Sequence, residues 1–159
     1  MVRRETPATG RRLGLIALGL TVGLLSASSL YAQAPAQAQA VANARTFPND
    51  AAVWLHFIKP DKVADFEMVL TKLKEALNKS EKPERKQQLE GWKIYKSPDP
   101  AGANTLFVMV ITPIKGADYS IGNIISESFP PAEANTILTA YAGAYAQPAM
   151  NIVNLNVLP

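Results

Sequence analysis

The segment Asn104–Thr112 (NTLFVMVIT) constrains this chain more than any other. In an extended chain Leu106, Val108 and Val110 share one side, and Phe107, Met109 and Ile111 share the other. Both sides are apolar, the pattern of a central strand buried on both faces. Such a strand needs neighbours in a sheet and a further layer to cover the sheet.

The rest of the chain supplies candidates for both. Ala51–Ile58 (AAVWLHFI) reads as a strand stopped by Pro60. Asp61 is placed to cap the helix that follows. Val63, Phe66, Leu70, Leu73 and Leu77 recur at alternating spacings of three and four, which predicts one apolar helix face through about Asn78. Ser80 can cap a short polar helix over SEKPERKQQLE, whose mixed charges read as a solvated face. Gly91 ends it.

Trp92–Ser97 alternates as a strand and joins the central strand through the Pro- and Gly-containing turn Ser97–Gly102. A short helix over Ser120–Ser128 follows, with Asp118 as its cap. Pro130-Pro131 opens a longer helix with Ala134, Ile137, Leu138, Tyr141 and Tyr145 on one face, ended by Pro148. Met150–Leu158 is the last strand. The order β-α-β-β-α-β predicts a ferredoxin-like α+β sandwich: a four-stranded antiparallel sheet with two main helices on one face.

Ahead of this domain the chain reads as an export signal. Arg3, Arg4, Arg11 and Arg12 form a basic leader, Leu13–Leu25 is an uncharged apolar run, and Ala32-Gln33-Ala34 is an A-x-A cleavage site. The run is short for a membrane span, which needs about 18–20 apolar residues. The alternative is an uncleaved N-terminal anchor. Residues 1–34 are thus expected to be a signal peptide, 35–48 a flexible Ala/Gln-rich tether, and 49–159 one domain. The expected location is periplasmic or extracellular, with no stable membrane insertion after the signal is removed.

Removing the leader changes the charge argument. It takes four arginines and one glutamate from totals of 16 basic and 13 acidic residues, leaving twelve of each and no net charge. Electrostatic capture of nucleic acid therefore has no support. There is no cysteine, so packing alone must hold the fold.

Alternation sorts the outer strands into faces. Val53, Leu55 and Phe57 oppose Trp54, His56 and Ile58, and Val153, Leu155 and Val157 oppose Ile152, Asn154 and Asn156. The all-apolar sets suit the helix-covered side. The second face is then mixed: too apolar to stay bare in water, yet carrying amide and imidazole groups that are costly to bury unpaired. Two such faces packed together as a homodimer, enclosing a partly polar cavity for a small molecule, would meet both demands.

The strands VWLHFIKP, GWKIYK, LFVMVI and NIVNLNV, with the long first helix, resemble the dimeric α+β barrel superfamily, which includes the antibiotic biosynthesis monooxygenase-like domains. The resemblance covers about residues 50–159. It implies homodimerisation and leaves open cofactor-independent oxygenases, haem-degrading enzymes, isomerases and proteins with no assigned reaction. No catalytic residue of the family carries over to a position in this chain.

The candidate ligand-binding residues are Trp54, His56, Tyr95, Asn154 and Asn156. His56, the only histidine, suits a general base or an axial haem ligand, and equally a hydrogen-bonded interface residue. Asn154 and Asn156 can orient a ligand or pair with symmetry mates. Trp54, Trp92 and Tyr95 can wall an apolar guest or pack a core. No cofactor is expected apart from the haem alternative, and one histidine without cysteine makes no zinc site. No G-x-S-x-G elbow or phosphate-binding glycine loop is present, so no reaction is identified. Two alternatives stand beside the ligand-binding homodimer. One is a cofactor-independent monooxygenase-like or haem-handling enzyme. The other is a structural or interaction domain that uses its sheet only to dimerise.

Overall fold

A computed structural model describes residues 43–159, so the leader and most of the tether lie outside the described residues. The elements are β1 (Ala51–Ile58), a 3-10 turn (Pro60–Lys62), α1 (Val63–Lys79), α2 (Pro83–Gly91), β2 (Trp92–Lys96), β3 (Thr105–Ile111), α3 (Ile121–Ser128), α4 (Pro131–Ala144) and β4 (Tyr145–Leu155). The four strands form one antiparallel sheet in the order β2-β3-β1-β4. The α+β architecture and this order are compatible with a ferredoxin-like sandwich. No helix among the described residues is long and apolar enough to cross a membrane.

The first long helix forms where the spacing predicts it. Phe66, Val69, Leu70, Leu73, Ala76 and Leu77 make its buried stripe. Asp61 lies in the 3-10 turn, and no side chain caps α1. Gly91 does end α2, and the reason is close packing: a Cβ there would stand 2.7 Å from the Thr112 carbonyl oxygen. Thr112 N–H donates to the Gly91 carbonyl at 2.9 Å, joining the end of α2 to the end of β3.

The last helix and strand differ from the expected boundaries. The helix stops at Ala144, and Tyr145 already pairs with Ile58. The strand runs through Pro148 because β4 is an edge strand, where a missing N–H costs no ladder bond. Its register shifts between His56 and Ile58, opposite that stretch.

The faces are also exchanged relative to expectation. Ala52, Trp54, His56 and Ile58 are the buried set of β1, and Phe107, Met109 and Ile111 that of β3. Register places them in rows: Trp92–Ile111–Ala52–Asn154, Ile94–Met109–Trp54–Ile152 and Lys96–Phe107–His56–Met150. The helical layer therefore takes the larger, aromatic side chains, which fill the volume between sheet and helices. The opposite side carries Lys93–Val110–Val53–Val153, then Tyr95–Val108–Leu55–Asn151, with Leu106–Phe57 beyond and Ala51–Leu155 at the other end. Among the described residues no element covers that side.

The tether is shorter than expected. Phe47 is 3% exposed and packs edge-on against Trp54 and Tyr119, at 6.2 and 5.3 Å between ring centroids. Tyr119 N–H donates to the Arg45 carbonyl at 2.7 Å. Arg45 to Phe47 thus belong to the domain.

Candidate functional site

The helix-covered face holds an aromatic cluster built around β1. Trp54 and His56, 1% and 0% exposed, point the same way from alternate positions, with ring centroids 4.6 Å apart. Phe66 of α1 and Tyr145 of β4 enclose the imidazole at 5.6 and 5.8 Å. His56 Nδ1 shares a 2.7 Å hydrogen bond with the Tyr145 hydroxyl, which also bonds to the Tyr141 hydroxyl on α4. Burial, with the nearby Arg45 charge second, pushes the His56 pKa down from 6.5 to about 3. Burial likewise raises both tyrosines above the ordinary phenol range. The cluster is neutral throughout the physiological range.

A surface pocket of about 410 Å³ opens beside it. Trp54, Leu138, Tyr141, Met150 and Ile121 give it an apolar wall, and Asn43, Arg45, Ser120 and Gly122 border it. The Arg45 guanidinium carbon stands 4.9 Å from the Trp54 ring centre. Trp54 Nε1–H points at the Met150 sulfur, 3.2 Å away.

What holds Arg45 there comes from the segment read as solvated. Arg85 and Gln88 of α2 are buried, at 2% and 0% exposure. Arg85 Nη1 donates to the Asp118 carbonyl oxygen and to Gln88 Oε1 (2.9 Å), and Nη2 donates to Glu127 Oε2 (3.0 Å). Gln88 Nε2 also donates to the Asp118 carbonyl, at 3.0 Å. The Asp118 carboxylate in turn accepts the backbone N–H groups of Arg45 (2.7 Å) and Ser120 (2.8 Å) and the Asn123 amide (2.7 Å). Its pKa is lowered: burial opposes ionisation, but these donors and Arg85 outweigh it. Asp118 is therefore not the cap expected of it. Ser120 is the N-cap of α3, accepting from Asn123 N–H, while Asp118 ties residue 45 to that cap.

The five sequence candidates do not converge. Trp54 and His56 are together, but inside the subunit rather than on the open face. Tyr95 projects from the open face and is 56% exposed. Asn154 shares the covered side of the sheet but lies exposed near the end of β4. Asn156 follows the strand, exposed, and its Oδ1 accepts from Asn49 Nδ2 at 2.7 Å. Arg45, Tyr141, Met150 and Arg85 were missed. Their signal was long-range: Arg45 sits in a low-complexity stretch, and Arg85 in a mixed charge run.

The residues present do not fit a haem held through His56. The imidazole has no exposed surface, and Nδ1 is engaged by Tyr145. Nε2 lacks a partner among the described residues, but it is enclosed. A base held neutral down to about pH 3 is also a poor proton acceptor near neutrality. Among the described residues no group of three or more His, Cys, Asp or Glu side chains could hold a metal ion. No protein-family model, curated protein or solved structure matches the chain.

Proposed function

We propose that this chain is an exported, homodimeric binding domain. The open sheet faces of two copies stack on each other, and each subunit takes a small, partly apolar molecule in the pocket beside Trp54. The basic leader, apolar run and A-x-A site support export.

The observation that carries the reading is the sorting of the sheet. Its covered face is aromatic and closed by the helices, whereas its open face carries a ladder of Val, Leu and Phe on β1 and β3, with Lys93, Tyr95 and Asn151 towards its edges. Four strands about 4.8 Å apart and about 20 Å long make a face of roughly 400 Å². Apolar patches of a few hundred Å² are about the largest a monomer exposes and are often functional. A second copy is the fitting occupant because the row Val110–Val53–Val153 is uncharged and can meet its own copy across a two-fold axis. Lys93 and Tyr95 lie on β2 at one rim, where polar groups belong.

In this reading the ligand site moves from between the sheets to the helix side, following Trp54. Size-exclusion chromatography with light scattering is the test. The expected mass at micromolar concentration is that of two chains, and Leu55→Lys shifts it to one. A wild-type protein that stays monomeric across that range overturns the dimer.

A further inference from the structure

We infer that the pocket beside Trp54 selects a flat apolar molecule bearing a single carboxylate, with the Arg45 guanidinium as its anchor. This rests on the reading of that pocket as the ligand site. Among the described residues Arg45 is the sole ionised side chain on the pocket wall, and the surfaces around it are those of Trp54, Tyr141, Leu138 and Met150. A guanidinium laid over an indole face keeps its N–H edge free for two parallel bonds to a carboxylate. One cation among apolar walls matches a monoanion and gives a dianion too little compensation.

Among the described residues the charge of Arg45 has no acid to answer it: no aspartate or glutamate forms an ion pair with its side chain. Asp118 takes only its backbone N–H, and the cation that acts on Asp118 is Arg85. The Arg45 charge acts inward instead, disfavouring protonation of His56 and favouring ionisation of Tyr141 and Tyr145. Residues 35–42 (PAQAQAVA) contain no acid that could serve from the preceding segment. The volume of about 410 Å³ accommodates a bicyclic aromatic acid and lies within the usual range of small-molecule sites.

The test uses protein expressed from the full-length sequence and two probes of matched shape, naphthalene-2-carboxylate and naphthalene-2-carboxamide. Affinities come from calorimetry, and the binding place from the Trp54 indole N–H resonance. The carboxylate is expected to bind about tenfold or more tighter than the amide and to shift that resonance. Arg45→Gln should bring the carboxylate-to-amide affinity ratio close to one, and Arg45→Lys should restore part of it. Circular dichroism checks that each variant is folded. Equal affinity for both probes, with the indole shifted, overturns the anion inference and leaves the pocket reading standing. Failure of both probes to bind, or shifts confined to the open sheet face, overturns both.

Discussion

The two faces of one sheet solve opposite problems with residues taken alternately from the same strands. The covered face presents Trp54, His56, Phe107 and Met109 to the helices and closes its one imidazole with a tyrosine from β4. The open face presents Val53, Leu55, Val108 and Val110 at its centre, all half-buried, and its polar side chains Lys93, Tyr95 and Asn151 lie exposed on the outer strands. Size and a distant hydrogen-bond partner define the first, and uniformity defines the second. A face needing volume to fill a layer takes aromatic groups. A face that meets its own copy, as proposed for this one, does better with apolar chains of similar size.

The largest test of this contrast is truncation on each side of β1. Trp54→Ala is expected to cost about 3–5 kcal/mol of unfolding free energy, because it empties the centre of the cluster. Leu55→Ala, one residue on, is expected to cost less than about half as much at concentrations low enough to keep the chain monomeric. Urea unfolding of both measures the difference. Equal losses would break the comparison.

The pH dependence of His56 comes next. Above pH 6.5 the imidazole is neutral whether the chain is folded or unfolded. As pH falls, the unfolded chain takes up the proton first, because burial holds the folded pKa at about 3. Stability is therefore lost between those values, at up to about 1.4 kcal/mol per pH unit, or roughly 2 kcal/mol from pH 6.5 to 5. His56→Gln should flatten the curve over that window, whatever its absolute stability. A wild type as flat as the variant would show that the imidazole is not sealed. Tyr145→Phe should cost about 1–2 kcal/mol by leaving Nδ1 without its partner, again read by urea unfolding.

Much of the architecture was legible in the residues. The alternating spacings from Val63 to Leu77 and the doubly apolar Leu106–Ile111 depend on local periodicity, and both elements form where that periodicity puts them. The covered side of the sheet was not legible. Periodicity shows that Trp54 and His56 share a face, but which face the helices choose depends on Tyr145, far along the chain, reaching His56. Tyr145 was itself misassigned to a helix, because Pro148 looks like a terminator unless β4 is known to be an edge. The candidate site suffered for the same reason. Arg85 and Gln88 look solvent-exposed until the Asp118 carbonyl arrives to pair with both.

The smallest test is the sharpest for the open face. Val110→Thr exchanges a methyl for a hydroxyl of nearly the same shape. In a monomer the half-exposed hydroxyl meets water, and stability should change by no more than about 0.5 kcal/mol. In a stacked dimer the two-fold axis buries two hydroxyls in an aliphatic layer with nothing to bond. Each costs about 1 kcal/mol, so the dimer dissociation constant should rise about tenfold or more. Sedimentation across a dilution series measures that constant, and unfolding at the lowest concentration measures the monomer. A raised constant with an unchanged monomer places Val110 in a dry contact between copies. An unchanged constant in a protein that still dimerises would move the contact elsewhere and leave the aliphatic ladder without its partner.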